Sequence, residues 1–596
     1  MALRPVDEQL MVDAARRPSA FFLLLLPAWL LLSAQLLVEY WPAIGATLPD
    51  ADDAMRLVEV REFLAGRGWF DLHEARLGLQ GGYDTHWSRL IDAGLAGLYL
   101  MVRPFADSAL SERLMVAVWP LLWLLPIIGG AAAIAWRIAG REAALVVLLL
   151  AIFAGPGIQQ FRPGRIDHHN VQIALSVVVV GAAVWIDRAR FAAVIAGALS
   201  GLMLTIGFEG LPLLAACGAA IACHYAATGE GAALRRYGLA LAAGGFAALL
   251  VGTPPSLWSV PVCDKIAINS TLALATAGVG VVPMLRVRYA AMRVMALAAV
   301  GVTAILVFAA IEPRCLAGHY ALVDPAVRPI WLDHVSETKP LTELLWRAPA
   351  SGLATLAFPA ATLIAALFLL RQPSARSEFG PLTAVAALVV SLAYMAAAMR
   401  GVSYAIWLSM PFIAAGAMHV FRRFKLDNLA LRFAALILVT PTALTLGALT
   451  LASAAGQREL TELNSSERAS CTARSQYEAL AALPPGRVAV NEIEWGPYLL
   501  AWTPHAVLAA PYHRLAPAIL ASHRVFGSPP ERAREAAAMA GIDYIVICGS
   551  HGANGVARLD REASLWSRLR AGAVPNWLEP VAGEPGQAFA VYRVKR

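Results

Sequence analysis

Gly164-Arg165-Ile166-Asp167-His168-His169-Asn170 sets a carboxylate and two imidazoles between two apolar runs, each long enough to cross a bilayer. Ionisable groups beside lipid cost free energy to keep charged, which makes them candidates for function. Asp167 and His169 are two residues apart. In an extended loop or a first helical turn both can face one divalent cation, leaving coordination positions for other loops or for substrate. An isolated Asp-x-His also suits a hydrated loop at a membrane edge, so the pair takes its meaning from what else reaches the same face. Two further acidic stretches do: Pro49-Asp50-Ala51-Asp52-Asp53 and His334-Val335-Ser336-Glu337-Thr338-Lys339-Pro340.

The elements that position these residues are membrane helices. The chain has 596 residues, 59% of them hydrophobic and only 15% charged, and a mean hydropathy of +0.61. That composition describes a polytopic α-helical membrane protein rather than a large soluble core. The net charge of +7 does not point to nucleic acid, because the basic residues lie in short clusters between apolar runs. After Arg16-Arg17 the chain is apolar from Ala20 to Val38, close to the ~20 residues of a helical span. A long first outer loop follows, with a helical apolar pattern through Leu57, Val60, Phe63 and Leu64 and an interfacial or re-entrant piece from Leu90 to Val102. Further spans are expected near 113–136, 143–158, 170–186, 191–206, 211–227, 237–254, 270–285, 293–311, 349–370, 380–398, 403–420 and 429–453, about thirteen in all with the first.

The loops between them alternate in charge. Arg137 and Arg141, Arg188 and Arg190, Arg235 and Arg236, Arg286 and Arg288, Arg371 and Arg376, and Arg422, Arg423 and Lys425 mark inner loops. The N-terminus is then cytoplasmic, and Asp52, Asp167 and Glu337 share the outer face. From 456 to 596 the pattern turns mixed, with strands at Val488-Ala489-Val490 and Tyr544-Ile545-Val546-Ile547 and a helix from Pro530 to Ala540. This reads as an outer α/β domain after a membrane domain of residues 1–455. It carries Glu494-Trp495-Gly496-Pro497-Tyr498 and Pro511-Tyr512-His513-Arg514, which suit ordinary loop packing as well as a site. Four cysteines fall in outer regions, where disulfides persist. Sequence leaves their connectivity open; the pairing expected is Cys263–Cys315 and Cys471–Cys548, each confined to neighbouring outer segments. Cys217 and Cys223, within one span, are expected to be reduced core residues.

The arrangement resembles the catalytic subunit of membrane oligosaccharyltransferases, of the GT-C class of polyprenyl-lipid-dependent glycosyltransferases, over nearly the whole chain. The resemblance rests on the first-loop Asp, the Asp-x-His motif in the second outer loop, the Ser-Glu of the late outer loop, and an outer C-terminal domain. It implies that Asp52, Asp167 and His169 hold Mn2+ or Mg2+, with Asp53 the alternative to Asp52. The choice of Asp52 follows from its nine-residue interval to Arg61, as in the family. It also implies that Glu337 binds the acceptor amide or the metal, and that Arg400 in Met399-Arg400-Gly401-Val402 contacts the lipid phosphate, a role suited to its paired donors. The family's WWDYG motif has a partial counterpart in Ile493-Glu494-Trp495-Gly496. Two Trp are absent, which leaves open whether an Asn-x-Ser/Thr acceptor is read. His168, Glu494, Trp495 and His513 are further candidates for the site.

The chemistry implied is transfer of a sugar or oligosaccharide from a polyprenyl phosphate or pyrophosphate to a protein or glycan acceptor at the outer face of a membrane, expected to be a bacterial inner membrane with the C-terminal domain periplasmic. Charge leaving with the phosphate suits a divalent ion and Arg400, while Asp52 or Glu337 suits the incoming nucleophile. Two alternatives stand beside it. One is a GT-C transferase that uses a polyprenyl-phosphate monosaccharide to modify a lipid or glycan, which has no need of Ser336-Glu337. The other is a transporter, whose acids belong near the bilayer midplane within repeats.

Overall fold

Lacking charges, the apolar runs close their backbone hydrogen bonds internally and form helices. The computed structural model describes residues 18–454, 471–549, 563–583 and 589–595. Arg16-Arg17 and the expected domain boundary at 455/456 lie outside the described residues. In chain order the main helices of the membrane region are α1 (Pro18–Tyr40), α2 (Ala51–Leu64), α3 (Arg89–Val102), α4 (Ser108–Ala139), α5 (Arg141–Ile152), α6 (His169–Ala183), α7 (Ala192–Ile206), α8 (Leu211–Thr228), α9 (Ala232–Gly252), α10 (Ile268–Met284), α11 (Ala290–Ile311), α12 (Pro349–Leu370), α13 (Phe379–Ala397), α14 (Val402–Arg423), α15 (Leu429–Leu438) and α16 (Pro441–Ala454). Among the described residues, eight helices are long and apolar enough to cross a membrane, and the chain is an integral membrane protein. Helix α11 is exposed almost throughout, as a lipid-facing helix is, whereas α14 is buried along most of its length at the centre of the bundle.

Two expected spans are not straight helices. The run near 143–158 breaks after α5 and continues as a 3-10 turn, Gly155–Phe161, bent by 71°. Gly155 takes φ +53° there, a left-handed conformation open to glycine, and Pro156 follows. The run near 429–453 bends by 56° between α15 and α16, where Pro441 supplies no backbone donor. The two breaks satisfy each other: Thr442 donates to the freed Phe153 carbonyl through its N–H at 3.1 Å and its hydroxyl at 2.9 Å. Helices α6, α7 and α10 are apolar but have only 15, 15 and 17 residues. Cys223 departs from the expectation of a core residue, since it is exposed while Cys217 is buried. Six residues on a helix of about 100° per residue turn a side chain to another face.

The first long loop is built on α2 and α3. Arg56, buried on α2, bonds Glu59 at 3.0 Å and Asp92 of α3 at 2.6 Å, and lies 4.4 Å over the Trp87 ring. These contacts lock the two helices into one platform. A short ladder, β1 (His73–Glu74) with β2 (Tyr83–Asp84), links them. The C-terminal region forms a five-stranded sheet from β3 (Arg487–Val490), β4 (Ala506–Val507), β5 (Tyr544–Cys548), β6 (Leu578–Ala582) and β7 (Phe589–Val594), in the order β4-β3-β5-β7-β6. Strand β3 runs parallel to β4 and β5, and β7 runs antiparallel to β5 and β6. This sheet docks on the first long loop: Val507 exchanges backbone bonds with Arg76 and Gly78, and Arg61 of α2 donates to Ala501 O at 2.7 Å. Disulfides join Cys263 to Cys315 and Cys471 to Cys548, with Cα separations of 5.1 and 5.9 Å.

Candidate functional site

Asp50 begins the site. In extended conformation before α2, its Oδ1 accepts from Asp52 N at 3.0 Å and Asp53 N at 3.2 Å, an N-cap that plants both acids in the first helical turn. The loop before α6 is brought against that turn at Gly164, whose φ is +104° and whose missing Cβ would lie 3.1 Å from Pro49 Cγ. Asp53 then receives the loop: its Oδ1 accepts from Ile166 N at 2.7 Å and Asp167 N at 3.0 Å. Asp167, just before α6, in turn accepts from His169 N at 3.0 Å. The starts of α2 and α6 therefore meet at one junction.

Arg165 decides which acids are left for other work. Its guanidinium contacts Asp50, Asp53 at 3.0 Å, Asp167 at 2.5 Å and Gln160 at 2.6 Å. Although the Asp50, Asp53 and Asp167 carboxylates lie within 4.8 Å of one another, Arg165 already supplies a cation there. Asp52 is outside its reach. A carboxylate oxygen of Asp52, one of Asp167 and an imidazole nitrogen of His169 also lie within 4.8 Å of one another, a mixed oxygen and nitrogen set suited to one divalent ion. Burial raises the Asp52 carboxyl well above its ordinary range, and the charges of Asp167, Glu337 and Glu494 raise it further, against a smaller opposing effect of Arg56. Burial also acts to raise Asp167, but Arg165, followed by His169 and His168, outweighs it and holds Asp167 below its ordinary range. A divalent cation would relieve the repulsion that Asp52 feels, so the residues fit an ion.

Arg165→Met is expected to lower the unfolding temperature and cost about 3–5 kcal/mol, because it strands buried carboxylates without a counter-ion. Thermal unfolding in detergent checks this, and an unchanged transition would contradict the counter-ion role.

The remaining walls come from further along the chain. Glu337, in a 3-10 turn of the loop between α11 and α12, lies 3.7 Å from His169 Nε2 and 3.1 Å from Arg400. Arg400, at the entry to α14, also faces Glu209 at 3.9 Å. His168 Nε2 donates to Glu209 at 3.3 Å, and its ring lies 4.4 Å from that of His169 and 5.8 Å from that of Trp87. Burial acts to raise the Glu209 carboxyl; His168, His169 and Arg400 hold it well below the carboxylate range instead. Tyr498 and Tyr512 of the C-terminal region donate to Leu48 O and Ala51 O, each at 3.3 Å, and Trp495 is buried beside Tyr498.

The structure thus brings Asp52, Asp167, His168, His169, Glu337 and Arg400 around one junction, with Glu494 near enough for its charge to act on Asp52. Asp53 lies beneath, holding the Asp167 loop. His513 stands elsewhere, donating to Asp264 at 2.7 Å. Sequence reading takes Glu209 as a loop carboxylate at the outer edge and includes Arg165 in the central motif, but assigns neither a role in the site. Glu209 sits between two spans as a lone loop acid, with no motif to mark it, whereas Arg165 adjoins Asp167 and an arginine beside a buried acid is a usable signal.

No protein-family model and no curated protein matches the chain. Solved structures do. The archaeal oligosaccharyltransferase AglB from Archaeoglobus fulgidus, in complex with an inhibitory peptide and a dolichol-phosphate, is 14% identical with a TM-score of 0.63, over 88% of this chain and 69% of that one. The Archaeoglobus fulgidus oligosaccharyltransferase in complex with Zn and sulfate is 14% identical, TM-score 0.57, over 88% and 67%. The same enzyme tethered to an acceptor peptide containing the NVT sequon is 14% identical, TM-score 0.62, over 89% and 69%. The chain therefore has an oligosaccharyltransferase-like GT-C fold.

Proposed function

We propose that the chain is a membrane glycosyltransferase that moves a sugar or oligosaccharide from a polyprenyl phosphate or pyrophosphate to a protein or glycan acceptor at the outer face. The observation that supports it is the meeting of Asp52, Asp167 and His169 with Glu337 and Arg400 at one junction of this fold. The neighbours' bound dolichol-phosphate and acceptor peptide are consistent with such a donor and acceptor. Asp52, Asp167 and His169 would hold Mn2+ or Mg2+, and the ion supplies Lewis-acid stabilisation of the departing phosphate. Arg400 binds that phosphate, exchanging its pairing with Glu337 for a bidentate bond to the anion. Glu337, released, orients the acceptor nucleophile and accepts its proton. The anomeric C–O bond to phosphate breaks as the acceptor bond forms, so direct attack inverts the anomeric carbon. Glu494 and Trp495 cover the acceptor side.

The eight long helices, the two bent pairs and the three shorter apolar helices together supply the thirteen crossings of this reading. The N-terminus is cytoplasmic, and residues 456–596 form an outer, periplasmic domain of a bacterial inner membrane protein after a catalytic domain of residues 1–455. Purified chain incubated with a lipid-pyrophosphate oligosaccharide or a lipid-phosphate monosaccharide tests the donor. Transfer from the first supports the oligosaccharyltransferase-like reading, transfer from the second alone supports the monosaccharide alternative, and transfer from neither overturns both. Arg400→Gln is expected to weaken donor binding about 10- to 100-fold, the loss of one charge-assisted bond, measured with the metal-loaded enzyme. Unchanged affinity would remove Arg400 from the phosphate site.

A further inference from the structure

A second set of ligating side chains lies where three separate segments meet. His86 comes from the first outer loop, Asp264 from the segment between α9 and α10, and His513 from the C-terminal region. One ligand atom of each lies within 4.8 Å of the other two, and the His86 and His513 rings are 4.6 Å apart. His86 Nδ1 is buried and makes no hydrogen bond among the described residues. Arg514 grips the Asp264 carboxylate through Nε to Oδ2 at 2.7 Å and NH2 to Oδ1 at 2.9 Å. The other direction at Oδ2 accepts the His513 Nε2 proton at 2.7 Å. Next to Asp264, the Cys263–Cys315 disulfide tethers this segment to the start of the late outer loop.

We propose that His86, Asp264 and His513 form a second metal site, for Zn2+, separate from the Asp52 junction. Two imidazoles and one carboxylate are a zinc donor set, borderline in softness and suited to tetrahedral coordination with a fourth, open position. Binding replaces the proton between His513 Nε2 and Asp264 Oδ2 with the ion, and that proton is released to solvent. Arg514 stays on the outer side of the carboxylate and orients it, as groups behind a metal ligand do. Because the three ligands belong to three segments, the ion clamps the C-terminal region to the outer loops beside the candidate site.

The test uses full-length protein in detergent, stripped with a chelator and reloaded with Co2+ or Zn2+. Wild type is expected to bind two equivalents of Co2+, one giving the intense visible band of a four-coordinate ion. Asp167→Asn should keep that band and one equivalent. His86→Gln and His513→Gln should each lose the band and keep the other equivalent, with unfolding temperatures equal to wild type in chelator. An Asp167→Asn protein without the band, or histidine variants that retain it, would overturn the second site. If wild type binds a single equivalent that His86→Gln removes and Asp167→Asn does not, the second site stands and the metal at Asp52 fails instead.

Discussion

Asp167→Asn is expected to lower sugar transfer by about a hundredfold or more, since changes even behind a metal ligand cost about 10- to 100-fold, while the protein stays folded. The asparagine keeps the size of the side chain and one acceptor oxygen. That oxygen preserves the hydrogen bond from His169 N, now made at 3.0 Å. Arg165 keeps Asp50 and Asp53 as counter-ions, so the loop retains a compensated charge. What is lost is one of the two carboxylates that lie with His169 within 4.8 Å of one another and could hold a cation. Transfer rate, bound metal and unfolding temperature measured on one preparation separate the outcomes. Normal transfer with normal metal content would sink the assignment of Asp167, whereas a collapsed unfolding temperature would move its role to the fold.

The second large effect concerns Glu337. Its carboxylate is 41% exposed, the most open of the groups around His169, as an acceptor-facing group must be. Glu337→Gln keeps the shape and removes the charge. Arg400 then keeps Glu209, at 3.9 Å, as its ion-pair partner among the described residues and is freer to meet a phosphate. Transfer should fall by about 10²- to 10⁴-fold, the range for removing a general base, with donor affinity unchanged or tighter. Unchanged transfer would reduce Glu337 to a partner of Arg400. Lost donor affinity would instead place it on the donor side. Measuring donor binding and single-turnover transfer on the same variant distinguishes these results.

Local patterns carried much of the architecture. An apolar run of sufficient length has one way to satisfy its backbone beside lipid, so helices α4, α8, α11 and α12 follow from hydropathy alone. The strands at 487–490 and 544–548 were legible from β-branched runs for the same reason of local preference. The shared face of Asp52, Asp167 and Glu337 followed from loop charge, because basic clusters mark one side of a membrane. The partner of the break at Phe153 was not legible, since the freed carbonyl accepts from Thr442, 289 residues away.

Sequence by itself determined that the chain is a helical membrane protein and which residue types could do chemistry. Tertiary structure alone decided the division of labour within the site. Asp50, Asp52 and Asp53 are equivalent as acids in a row, yet Asp50 caps the helix, Asp53 holds the second loop by two backbone N–H groups, and Asp52 is left facing His169. Successive residues on a helix point about 100° apart, so neighbours in sequence meet different partners. Which partners they meet depends on where Arg165 comes to rest, and His513, a further candidate in the sequence, pairs with Asp264 instead for the same reason. The physical cause is that a buried charge must find its counter-charge in space, and distance in space is not written in the order of the residues.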